Sequence, residues 1–353
     1  MQRIIIVLFI PVCLILTVVQ GNAQEIFRNE DGLFSTELIA DSIKIDSKNH
    51  ILIQSSSTLT GTIQVHTTSK NIATIEYYKK SESDEKSRAI DHIDLVAVDL
   101  SHTPNGIRLQ LRAPNPPPWK TTEMTTLEIS LFVPEGSYLE IDASYFNLDA
   151  TGPFSGVEVS SSFGKLNVSD VTEILDLTTA NRRLTISNIS GEVSVETTNS
   201  TLEANNIYSP DKQAVFRNQG GNIHIDGFDG QISIKNSFGK IELIDFRPSG
   251  NRNVIRGKSA PIVIDIADMS DEQIIVSNWF EDVDITTPSN LSAALSLAVD
   301  DEGKIEVSGL EFITELVQQD RLSLVAGEGN GSVNCSVKGA GNIYIRGFNM
   351  EDE

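Results

Sequence analysis

Carboxylates are the residues here whose spacing could do chemistry. Asp265, Asp282, Asp284, Asp300, Asp301 and Glu302 recur through the last third of the chain. Side by side on stacked strands, such groups could ligate Ca²⁺ or act as an acid/base pair on a glycosidic bond. Asp282, Asp284, Asp300 and Asp301 are the weak calcium candidates. Neither the aspartate loop of an EF-hand nor the nonapeptide calcium repeat is present in the sequence. A chain with 49 acidic residues also brings carboxylates together by chance. A solvated acidic surface is the simpler reading, with no metal, cofactor or catalytic residue expected.

The five histidines, His50, His66, His92, His102 and His224, show no metal-ligand spacing. His92 and His102 flank a strand-like run, where loop positions are the simplest account. No GxSxG elbow, phosphate loop or dinucleotide motif occurs. Trp119 closes the proline-rich stretch APNPPPW (113–119) and is the candidate contact residue, if that stretch is more than a rigid connection.

The first residues combine one arginine (Arg3), an apolar run from Ile4 to Val19 and small residues at Gly21 and Ala23. That is the pattern of a secretory signal peptide. Sixteen apolar residues are short for the ~20 that span a bilayer. Cleavage after residue 23 takes one Arg and no acid, so the net charge moves from −22 to −23. Nucleic acid and anionic membrane surfaces would be repelled. Only Cys335 then remains, which excludes an intrachain disulfide and marks a small core residue in the alternating stretch SVNCSV.

The elements that must carry these residues come from a repeat. From Leu139 the chain divides into segments starting at 139, 157, 175, 193, 214 and 232. Their period is 18, with three extra residues after Ile207. Apolar residues recur at positions 1, 3, 10, 12 and 15 of each segment, as in Val157, Val159, Leu166, Val168 and Val171. Two short period-2 runs per repeat predict two short strands separated by turns. A unit this small cannot bury its own apolar face, but stacked units can, at about 4.8 Å per coil. Position 7 holds Tyr145, Phe163, Asn181, Asn199 and Phe238, which predicts a side-chain stack at a corner.

The expected fold is therefore all-β: a right-handed parallel β-solenoid of about ten 18-residue coils, roughly 45–50 Å long. Segments 254–273, 274–294 and 295–312 continue it in order, and 322–348 holds the final coil. ITELVQQDR (313–321) has helix-forming composition and is expected as a short helical excursion. Residues 1–23 are the signal peptide, 24–138 the N-terminal strands and cap, 139–348 the solenoid and 349–353 a polar tail. Within 24–138, the stretches 42–54 and 61–68 offer one or two leading coils, and Lys79–Arg88 a charged loop.

The phrases VPEG (133–136), GVEV (156–159), GKLNV (164–168), GEVSV (191–195), GNIHI (221–225), GQISI (230–234) and GKIEL (239–243) resemble the bacterial adhesin-labelled family of the DUF4097 type. The resemblance covers roughly residues 35–348. It implies an exported bacterial β-solenoid and brings no catalytic residues with it. LTTANRRLTIS and TTNSTLEAN depart from the family pattern by lacking its glycine. The expected role is a non-catalytic, adhesin-like interaction or scaffold protein of the cell envelope. Its partner would be a protein or glycan, with no nucleic acid and no transmembrane segment after signal cleavage. A carbohydrate-active β-helix enzyme is the alternative, and fold likeness alone cannot choose between them.

Overall fold

The computed structural model describes residues 25–29, 32–45, 49–300 and 302–348. The signal-peptide and polar-tail expectations lie outside the described residues. Among those described, strands join one open 25-stranded sheet, and the helix Lys86–Asp94 is the exception.

The repeat is realised as parallel pairing between equivalent positions. Leu175 and Leu177 lie opposite Val193 and Val195, and Leu184 and Ile186 lie opposite Leu202 and Ala204. Ile223, Ile241, Ile262 and Val283 continue one such column. These side chains are buried to within 2% of complete. Period-2 alternation puts every second residue inward, and burying each Val, Ile or Leu contributes roughly 1.5–3 kcal/mol. The insertion after Ile207 appears as a register shift between Ser209 and Gln213.

Position 5 points inward and is polar in successive coils. Ser161, Thr179, Thr197, Asn218, Asn236 and Asn278 all occupy position 5, two residues before the corner, and all are buried. Asn236 Nδ2 donates to the carbonyls of Gly221 (2.9 Å) and Gly239 (2.8 Å). Asn278 does the same to Ala260 (3.0 Å) and Glu281 (2.9 Å). A corner turns main-chain carbonyls away from the strand ladder, and these amides satisfy them from inside.

Chain order and spatial order part company at both ends. Gly331–Lys338 lies between Gln273–Trp279 and Ala293–Val299, parallel to both, so Val333 faces Ile274 on one side and Leu295 on the other. Ile343–Phe348 is held likewise between Val283–Pro288 and Ile305–Ser308. The expected order, with 295–312 stacked directly on 274–294, is therefore corrected. The N-terminal end repeats the device. His50–Ser55 sits between Gly106–Arg112 and Tyr138–Asp142, and Thr60–Thr68 between Met124–Pro134 and the start of Phe146–Ser190. Parallel pairing thus runs without a break across residues 138–139.

Antiparallel strands cover each end, which blunts the open edges of a stacked fold. Ile72–Glu82 pairs with Met124–Pro134, and Ala97–Thr103 with Gly106–Arg112. Lys79–Arg88 is not a charged loop: its first half extends the strand to Glu82, and its second half enters the helix Lys86–Asp94. That helix buries Ala89 and Ile93 against Ile26 and Phe34. His92 lies on this helix and His102 in the strand Ala97–Thr103, so neither is a loop residue. At the other end the expected helical excursion is a strand, Phe312–Val317, hydrogen-bonded to Arg321–Ala326. Phe312, Ile313, Thr314 and Val317 are β-formers, and pairing outweighs the helical preference of the remainder.

Candidate functional site

Two corners are left-handed in repeat after repeat, position 14 (Asp170, Asn188, Asn206, Asp245) and position 7, and position 7 stands out because bulky aromatics share its left-handed backbone. Asn181 and Asn199 adopt φ of 54° and 53°, and Gly220 of 84°. Asn and Gly visit this region at little cost. Tyr145 (66°), Phe163 (67°), Phe238 (61°) and Phe280 (72°) adopt it too. A bulky side chain held there costs of order 1–3 kcal/mol and persists only where the surroundings over-determine it. Here the next coil does so. The N–H of Tyr145 donates to Ser162 O (2.9 Å), that of Phe238 to Lys258 O (3.0 Å) and that of Phe280 to Lys338 O (2.9 Å).

These strained aromatics face solvent. Tyr145 is 43% exposed, Phe163 41%, Phe238 62% and Phe280 55%. Tyr145 and Phe163 stack with centroids 4.8 Å apart and planes 11° from parallel. Trp279 stands beside Phe280, half exposed, with the Lys338 ammonium 6.0 Å from its ring centre. Gly339 leaves room for the Phe280 ring, since a Cβ there would fall 2.6 Å from it. Four coils separate Phe163 from Phe238, ~19 Å, and two separate Phe238 from Phe280, ~10 Å. One edge of the stack therefore carries a broken row of exposed rings.

The strands leading into this corner carry outward carboxylates. Tyr138 Oη donates to Glu158, and His50 Nε2 lies 3.0 Å from Glu140. Partial burial, with Glu158, Glu196 and Glu192 around it, pushes the Asp176 carboxyl above the usual range. Burial and the Glu158 contact likewise raise the Tyr138 phenol. Rings and carboxylate acceptors on adjoining surfaces can stack on, and hydrogen-bond to, a ligand bearing apolar faces and hydroxyl groups.

Three of the four calcium candidates have hydrogen-bond or ion-pair partners within the fold. Asp282 Oδ1 accepts from the Asn342 N–H (2.8 Å) and Nδ2 (3.0 Å). Asp284 pairs with Arg346 at 2.7 Å, and Asp300 accepts from the Gly339 N–H at 2.6 Å. Three carboxylates thus tie the out-of-order C-terminal strands to their neighbours. Asp301 lies outside the described residues. No group of three acidic, His or Cys side chains that could hold a metal ion occurs among the described residues. Cys335 is buried, and burial pushes its thiol up to about 12.

Trp119 is half-buried, its ring edge-on to His92 at 5.8 Å. The surrounding cluster was not foreseen. Ser81 Oγ lies 3.2 Å from His92 Nδ1, and His92 Nε2 lies 3.8 Å from Glu123. Arg88 grips the same carboxylate through two bonds, of 2.8 and 2.6 Å. With the Lys120 N–H, Arg88 holds Glu123 down at about 2. Ser81 is 1% exposed, so no substrate reaches its hydroxyl. The group is a polar clasp fastening the helix Lys86–Asp94 to the sheet. Four scattered positions build it, and only tertiary structure unites them. Phe280 is absent from the position-7 residues read from the sequence, although the register of segment 274–294 places it there.

No family model matches the chain, and no curated protein matches it. Solved structures similar to it include a "putative adhesin" from Parabacteroides merdae, at 10% identity over 87% of this chain and 95% of that one, with a TM-score of 0.35. A "putative adhesin" from Bacteroides fragilis shows 11% identity over 88% and 97%, with a TM-score of 0.29. A "putative cell adhesion protein" from Clostridium sporogenes shows 9% identity over 88% and 99%, with a TM-score of 0.21.

Proposed function

We propose that the chain is an exported, non-catalytic, adhesin-like binding protein, built as a right-handed parallel solenoid. Its ligand is a glycan or protein of the cell envelope, gripped along the position-7 corner. The observation that carries this reading is the set of four bulky aromatics, Tyr145, Phe163, Phe238 and Phe280, held exposed in left-handed backbone. Asn181, Asn199 and Gly220 show that the same corner forms without them. Strain at exposed side chains that the fold does not require is the signature of a surface kept for contact. No helix of the described residues is long and apolar enough to cross a membrane. The experiment is a binding screen of the purified protein against a glycan array and envelope extracts. Phe163→Asn and Phe238→Gly, alone and together, report whether retention runs through this corner.

A further inference from the structure

The C-terminal end of the stack finishes on a strand whose outer edge no other described strand pairs with. Phe312–Val317 is hydrogen-bonded along one edge to Arg321–Ala326, and no strand of the described residues pairs with its other edge. Every residue of it is exposed, including Phe312 (40%), Ile313 (75%), Leu316 (39%) and Val317 (72%). An apolar edge strand with a free row of N–H and C=O groups is a template for a further strand.

The sequence of this strand says which strand fits. FITELV reads apolar, apolar, polar, polar, apolar, apolar, so it is symmetric about its centre. We propose that two copies of this chain join end to end by antiparallel pairing of their Phe312–Val317 strands about a twofold axis. In that register Phe312 faces the second copy's Val317, Ile313 faces Leu316, and Thr314 faces Glu315. Extended one residue, Glu311 faces Gln318, so no carboxylate opposes another. That matters because Glu311, Glu315, Asp320 and Glu328 outnumber Arg321 on this hairpin, and like charges set directly opposite destabilise a pair. The break in register at Glu315, between Thr314 and Leu316, bends the strand where the axis passes. An isologous contact of this kind closes at two copies rather than growing into a fibre. One strand pair is small beside the 1,200–2,000 Å² of standard interfaces, so association is expected in the micromolar range.

The test is sedimentation of the purified protein across that concentration range, alone and as Ile313→Lys and Leu316→Glu variants. Both positions are exposed, and melting curves confirm that each variant is folded. The wild type is expected to dimerise, and each variant to weaken the dimer at least tenfold. An equimolar mixture of the two is expected to recover it. In the mixed pair the introduced ammonium of one copy faces the introduced carboxylate of the other, while the unchanged Leu316 faces the unchanged Ile313. A wild type monomeric throughout would overturn the proposal, as would variants that dimerise unchanged or a mixture that fails to recover. Binding of a basic extended peptide to a monomeric wild type would assign the edge to a foreign strand and overturn it equally.

Discussion

Tyr145 and Phe163 stack at 4.8 Å, one coil apart, each at a φ that Asn or Gly adopts elsewhere in the same column. The pair sets two magnitudes against each other. Stacking of exposed rings contributes about 0.5–1.5 kcal/mol, whereas each left-handed bulky residue costs of order 1–3 kcal/mol. Strain outweighs stacking, so the fold carries these rings at a net cost.

Replacing Phe163 by Asn, the residue found at the next corner, is therefore expected to leave stability unchanged or to raise it by up to ~1 kcal/mol. Tyr145→Asn should behave alike. Denaturant unfolding measures this directly. A loss above ~2 kcal/mol in either variant would make the rings structural and remove the reason for reading them as a contact surface.

Arg182 should be the costliest polar residue to delete. It is 2% exposed, and its guanidinium donates to the carbonyls of Phe146 (2.8 Å), Lys165 (3.1 Å) and Ser162 (3.1 Å). Burial lowers its pKa to about 10, still far above neutrality, so the side chain remains charged. Arg182→Ala is expected to cost about 2–4 kcal/mol, from undonated carbonyls and a cavity. Arg182→Met fills the space without the donors and should cost about half as much. A Met variant more stable than wild type would mean that burying the charge outweighs its three bonds.

Acid should loosen the clasp around Trp119. Because Arg88 and the Lys120 N–H hold Glu123 at about 2, below its ordinary 4.5, its stabilising contribution is complete above 4.5 and fades as pH falls toward 2. With Trp279 replaced by Phe, Trp119 fluorescence should change across that window, reporting release of the helix Lys86–Asp94. Glu123→Gln should show the loosened signal at neutral pH and lose the acid step. A fluorescence titration identical in both proteins would refute the assignment.

The core register can be tested with a charge. Val168 and Leu184 are buried at 2% and 0% exposure in the narrow interior, where an added carboxylate loses its hydration. Val168→Asp or Leu184→Asp should abolish cooperative unfolding, a loss above ~4 kcal/mol. Either variant melting like wild type would contradict the register.

Much of this fold was written in the 18-residue period. Positions 1, 3, 10, 12 and 15 point inward because pairing between identical units carries one inward choice along the whole stack. Ser161, Thr179 and Asn236 were invisible as core residues, since a small polar side chain reads as a turn until the carbonyl it serves is seen. The order of coils was illegible for a different reason. A periodic pattern states that Val333 belongs in a coil, but not that it lies between Ile274 and Leu295. The strand Phe312–Val317 misled through composition, because edge pairing is a tertiary effect. At the candidate site, Tyr145, Phe163 and Phe238 were found by spacing alone, whereas the Ser81, Arg88, His92 and Glu123 cluster brings together residues whose spacing follows no repeat.

The most direct measurement is retention on a glycan array and in envelope pull-downs, with and without Ca²⁺, for the wild type beside the Phe163→Asn/Phe238→Gly double variant. The account expects a ligand held without turnover by the wild type, retention at least tenfold weaker in the variant, and no dependence on Ca²⁺. Equal retention by both proteins, or release of shortened sugars, would contradict it.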